Sequence, residues 1–143
     1  MNRNLSKPLR TAYYAALSGP LSLSGVKVFD SWQAAEGFRS NHVIIGRIGE
    51  SNQNTADTFI SRVTVEIQAV TVQTNGFSSE DSEELEDTIL QILIPTVKTH
   101  SITMTGFQVS DVRKEGSQAV NEVGVNGGIA RRIITISQLI NKQ

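Results

Sequence analysis

Between Val63 and Ala69 the chain alternates without a fault. Val63, Val65, Ile67 and Ala69 are apolar, and Thr64, Glu66 and Gln68 between them are polar. A period of two sends the apolar set to one face of a strand and the polar set to the other. The parity changes near Ala69, because Val70 and Val72 are apolar in their turn, which predicts a bulge or a change of environment there. Composition points the same way. Val and Ile are abundant, and Ser and Thr together number 27, against 13 basic and 14 acidic residues. Such a mixture of β-branched and hydroxyl side chains favours a sheet over a helical bundle.

Around this strand the remaining elements fall into place. Leu9, Tyr13, Ala16 and Leu17 share one helical face behind Ser6 as N-cap and Pro8 in the first turn, and Gly19-Pro20 is a stop signal, so a helix is predicted over 8–18. Val26–Phe29 and His42–Gly46 read as strands, the second a continuous apolar run suited to burial on both faces. Residues 49–57 read as a polar loop, and Asn75-Gly76 as a turn. Leu85, Ile89, Ile92 and Leu93 form the stripe of a second helix, predicted over 79–93 and closed by Pro95. Two short apolar runs over 102–112 and one over 129–136 read as strands. Residues 113–128, with four Gly and two Asn, read as a long loop or a hairpin extension. The predicted order is α-β-β-β-α-β-β in one domain spanning 1–143, the usual size for a single domain.

Several function classes drop out. The chain has no Cys, which removes disulfide scaffolds, thiol catalysis and cysteine zinc sites. A net charge of −1 gives no basic excess for a nucleic-acid or anionic-membrane binder. No apolar run approaches the roughly 20 residues of a membrane helix, and none follows the N-terminal charges at signal-peptide length, so no membrane partner and no cleavable secretion signal are expected. Phosphate-loop, dinucleotide and nucleophile-elbow signatures are absent. His42 and His100 lie far apart in sequence, and neither has a helical His or Glu partner at i+4. These observations predict a chain that is not an enzyme, with no cofactor and no metal.

The residues left for a functional surface are few. Six of the 14 acidic residues lie within positions 80–87, among them Glu80, Asp81, Glu83 and Glu84. Their ordinary role is to complement the dipole at a helix start, and their functional one is to meet a charged partner or line a lumen. Arg131 and Arg132 sit on a predicted strand, whose alternation points them to opposite faces, so they are not a paired clamp. Trp32, the only Trp, reads as core or as an interface anchor. Long polar loops on a small domain ordinarily contact neighbouring subunits.

The order of elements resembles the tail terminator, or tail completion, family of tailed bacteriophages. Leu9-Arg10-Thr11-Ala12-Tyr13-Tyr14-Ala15-Ala16-Leu17 stands where that family has its N-terminal helix. Val26-Lys27-Val28-Phe29-Asp30 is similar to its "V-x-V-[FY]-D" strand, and His42-Val43-Ile44-Ile45-Gly46 to its "[YH]-V-V-I-G" strand. The strand from Ser61 to Val72 and the helix from Ser79 to Leu93 follow in order. The resemblance covers about 9–94, and the segment 113–128 has no counterpart in it. It implies an α+β fold, a mostly antiparallel sheet of four to five strands with two helices packed on one face and long polar loops. It also implies a non-catalytic virion protein, assembled in the host cytoplasm, that forms a ring at the head–tail junction. A hexamer is favoured, and a ring of twelve is the alternative, as in the neck of a short-tailed phage. Its partners would be other neck and tail proteins, with DNA only as passing cargo. A small non-viral binding module, or another neck ring (adaptor) protein, is the alternative reading of the same element order.

Overall fold

The computed structural model describes residues 5–31, 40–52, 60–73, 80–96, 99–124 and 127–142. Among the described residues, two helices, α1 (Ser6–Leu23) and α2 (Glu80–Leu93), accompany five strands. The strands are β1 (Lys27–Phe29), β2 (His42–Asn52), β3 (Ile60–Gln73), β4 (Phe107–Gly124) and β5 (Gly127–Lys142). They form one sheet in the order β1-β2-β3-β5-β4. Only the β1–β2 pair is parallel. The α+β class and the element order thus agree with the sequence reading, except that the apolar run at Ile102 and Met104 packs into the core without forming a strand.

The alternating strand is the centre of the sheet. Val63, Val65, Ile67 and Ala69 of β3 are buried in one cluster with Leu9, Tyr13 and Leu17 of α1, Leu85, Ile89 and Leu93 of α2, and Ile134 and Ile136 of β5. Both helices therefore cover the same face. Each fully buried Leu or Ile contributes about 1.5–3 kcal/mol, so this one face supplies most of the driving force. The parity change at Ala69 is a change of environment. β3 keeps an unbroken register with β5 from Ile60 to Gln73, and Val70 joins Phe29 and Ile44 in a small cluster on the opposite face.

The bulge lies in the neighbouring strand. Ile45 pairs with Ile67 and Ile48 with Val65, which leaves one extra residue in β2 at Gly46-Arg47. A Cβ at Gly46 would stand 3.2 Å from the Glu66 carbonyl oxygen, so the close approach of β2 to β3 there favours glycine.

Three sequence expectations are corrected. The first helix does not stop at Gly19-Pro20 but runs to Leu23 with Pro20 inside it. Leu17 and Leu21 are fully buried on either side of the proline, and burial of that stripe outweighs the backbone bond that Pro20 cannot make. Its N-cap is Leu5, without a side-chain cap bond, and Ser6 is the first helical residue. The predicted polar loop at 49–57 begins inside β2, because Gly49 to Asn52 pair with Thr64 to Ser61. The rest of that loop, Asn75-Gly76, and Ser79 lie outside the described residues. Finally, the loop reading of 113–128 gives way to the hairpin. Residues 113–124 are strand β4 and 127–128 open β5, which stays paired with β3 as far as Gly128. Backbone pairing along β5 makes strands of residues whose side chains carry no strand periodicity.

Candidate functional site

The inward stripe of α2 comprises Ser82, Leu85, Glu86, Ile89 and Leu93. Glu86 thus enters the protein from a helix face that is apolar apart from Ser82, and its carboxylate meets two cations from the hairpin. Arg132 Nε lies 3.3 Å from Glu86 Oε1, and Lys114 Nζ 3.6 Å from Oε2. Arg132 also approaches Glu83 Oε1 at 3.9 Å and donates from Nη2 to Ser117 Oγ at 3.1 Å. This seam ties α2 to the β4–β5 hairpin. The Glu86 and Arg132 side chains are only 11% and 18% exposed, so their attraction is screened far less than that of a surface pair.

The seam sorts the acidic run into two groups. Glu83 and Glu86 face Arg132. Glu80, Asp81, Glu84 and Asp87 are exposed, with Glu80, Glu84 and Asp87 at i, i+4 and i+7 along one outward stripe. The first-turn acids Glu80, Asp81 and Glu83 also complement the positive end of the helix dipole. Arg131 and Arg132 do point to opposite faces: Arg131 Nη2 lies 3.8 Å from Glu122 Oε1, on the side away from α2. The structure therefore brings Glu83 and Arg132 together and keeps Arg131 apart from both. Trp32 lies outside the described residues. Glu86, Lys114 and Ser117 are participants that the sequence reading did not select. The signal for Glu86 was its place on the apolar stripe of α2.

A second charged cluster, unforeseen from sequence, occupies the other face at the edge of the sheet. Arg62 donates from Nη2 to Asp111 Oδ2 at 2.7 Å and from Nη1 to Ser137 Oγ at 3.0 Å. Arg113 donates from Nε to Glu115 Oε1 at 2.9 Å, and the Ser137 hydroxyl donates to the same carboxylate. The Arg62 hydrogen bond, with the charge of Arg113 nearby, holds Asp111 below the usual carboxylate range. The Ser137 and Arg113 hydrogen bonds do the same for Glu115. Asp111 has φ 50°, in the left-handed region that Asp tolerates better than most residues, and it sits where β4 gains an extra residue between Ser110 and Arg113. The alternating signs of Asp111, Arg113 and Glu115 were the sequence signal, hidden by the loop reading.

An open groove of about 690 Å³ lies at the β2 bulge, lined by Arg10, Asp30, Ser31, Ile45, Gly46, Arg47 and Glu66. One of its two guanidinium groups is already committed: Arg10 donates to the carbonyl oxygens of Asp30 (2.6 Å), Ile45 (2.6 Å) and Gly46 (2.8 Å). Arg10 is thus a brace between α1 and the bulge. The two His residues also bond to backbone. His42 Nδ1 lies 2.7 Å from the Ser40 carbonyl oxygen. His100 Nδ1 accepts from the Ile102 N–H, and its Nε2 lies 2.9 Å from the Val109 carbonyl oxygen. Among the described residues, no three His, Asp or Glu groups converge as a metal site would need, and no helix is long and apolar enough to cross a membrane.

No protein-family model matches this chain, and no curated protein is similar to it in sequence. Among solved structures, a chain of the "Virion of native gene transfer agent (GTA) particle" is similar with a TM-score of 0.76. The alignment covers 98% of this chain and 99% of that one, at 10% sequence identity. The likeness is one of fold, and it extends through β4 and β5, the part for which the family motifs had no counterpart.

Proposed function

We propose that this chain is a non-catalytic structural subunit of a phage-like virion. The observation that carries the reading is the likeness in fold, over nearly the whole of both chains, to a chain of a gene transfer agent virion. The finer part of the proposal is a place at the head–tail junction. There, copies form a ring, six in number, that terminates the tail and joins it to the head-side connector. It rests on the order of the helix and strand motifs from Leu9 to Leu93, which the fold keeps. In such a ring the outward stripe of Glu80, Glu84 and Asp87, with Asp81 beside it, faces the channel and repels the phosphates of passing DNA. Glu83, Glu86, Arg132 and Lys114 fix that stripe relative to the sheet. Two measurements test the reading: the native mass of the purified protein, and antibody labelling of particles. Six-fold mass with label at the neck supports it. A protein that stays monomeric at every concentration and labels no particle refutes it.

A further inference from the structure

The outer edge of β4 is protected along one half and bare along the other. Among the described residues β4 pairs only with β5, so its far side carries a row of backbone donors and acceptors with no strand beside it. From Phe107 to Glu115 that edge is broken by two register shifts, by the left-handed Asp111, and by the charges of Asp111, Arg113, Lys114 and Glu115. Bulges and charges of this kind are how natural sheets keep a free edge from pairing. From Gly116 to Gly124 no register shift and no left-handed residue is present, and Glu122 is the single charge among the described side chains. The register with β5 is unbroken from Gly116↔Thr135 to Gly124↔Gly127, and Gln118, Ala119, Val120, Asn121 and Glu122 are all exposed. Val120, 38% exposed, is one of only three large apolar side chains left open to solvent among the described residues.

We infer that this half of the edge is an interface, and that its occupant is the same segment of a second copy, paired antiparallel about a two-fold axis through Val120. The segment complements itself in that register. Val120 meets Val120, a β-branched pair that covers the exposed apolar surface. Gln118 stands opposite Glu122, and by symmetry Glu122 opposite Gln118, so an amide donor faces a carboxylate twice. Ala119 stands opposite Asn121, and no two like charges are opposed. The paired stretch ends at the bulge beside Glu115, where the protected half begins. The product is one continuous sheet of ten strands with an isologous contact at its centre. This inference does not rest on the ring. A two-fold contact is not the head-to-tail contact that closes a ring, so the two are tested separately.

The absence of Cys makes the test clean, since V120C carries the only thiol. Opposed Cβ atoms in an antiparallel pair are about 4.5–5.5 Å apart, close to disulfide reach. L23C is the control, at a site 90% exposed on α1, which packs beside β1 at the opposite edge of the sheet. Under mild oxidation at equal micromolar concentration, V120C should form covalent dimer at least about ten-fold faster than L23C, because pairing raises the local thiol concentration toward millimolar. V120K, which opposes two ammonium groups, should shift the unmodified protein toward monomer in sedimentation while leaving its circular dichroism unchanged. A V120C rate no faster than that of L23C overturns the inference, as does a V120K protein that associates like the parent. If a six-fold mass persists without accelerated V120C cross-linking, this inference falls and the ring stands. Accelerated cross-linking in a protein that forms no ring gives the reverse.

Discussion

Replacing Arg132 by Met tests the seam between α2 and the hairpin. At 3.3 Å, the attraction between Arg132 and Glu86 is about 4–5 kcal/mol at an effective dielectric of 20, most of it offset by the cost of desolvating both groups. The variant keeps that cost for Glu86 and loses the compensation, apart from Lys114 Nζ at 3.6 Å. Breaking a buried pair costs about 3–5 kcal/mol. With Lys114 retained and both groups slightly exposed, R132M should lose about 2–3 kcal/mol. For a chain of this length that corresponds to a fall in Tm of roughly 4–12 °C. The double variant E86L/R132M removes both charges and leaves Lys114, 37% exposed, and Glu83, 58% exposed, both open to hydration. It should therefore recover to within about 1 kcal/mol of the parent, since apolar replacements of buried pairs are often neutral. Urea unfolding followed by far-ultraviolet circular dichroism gives all four corners of the cycle, provided the slope with urea is constant. An R132M variant within about 0.5 kcal/mol of the parent refutes the reasoning. So does a double variant whose loss is the sum of the two single losses, because Arg132 and Glu86 would then act independently.

Two further outcomes follow from the other polar clusters. R10M should lose about 2–3 kcal/mol, because three backbone carbonyls lose a charged donor. R10K should regain less than half of that loss, since an ammonium offers one nitrogen where the guanidinium sets Nη1 on Ile45 and Nη2 on Gly46, and an R10K protein as stable as the parent in urea would show that the fork does not matter. Asp111 and Glu115 titrate lower in the folded chain than in the unfolded one, so their contribution is present above the ordinary carboxyl range and lost as pH falls through their depressed folded values. D111N/E115Q should accordingly show a shallower fall of urea midpoint between about pH 5 and pH 2 than the parent, and an unchanged acid limb would count against the cluster.

Local periodicity made most of the fold legible in the sequence. The alternation at Val63–Ala69, the stripes at Leu9–Leu17 and Leu85–Leu93, and the short apolar runs gave the number and order of elements, because each pattern states which side of one element is buried. The acids of α2 were legible as a helix start, and the opposed directions of Arg131 and Arg132 followed from strand alternation alone.

Tertiary structure decided the rest. Pro20 is a helix breaker by propensity, yet burial of Leu17 and Leu21 carries α1 past it. Gly116 to Gly124 have little strand propensity, yet β5 beside them makes them a strand, since a ladder is held by backbone groups that every residue except proline supplies in full. Which acid of the run turns inward to Arg132, and which half of the β4 edge is left bare, depend on segments far apart in sequence. A pattern records which side of an element is covered, but not which residue of another element covers it. The sequence by itself therefore determined the elements and their order. The partnerships of Glu86, Arg10 and Arg62, and the open edge at Val120, came only from the packing of those elements together.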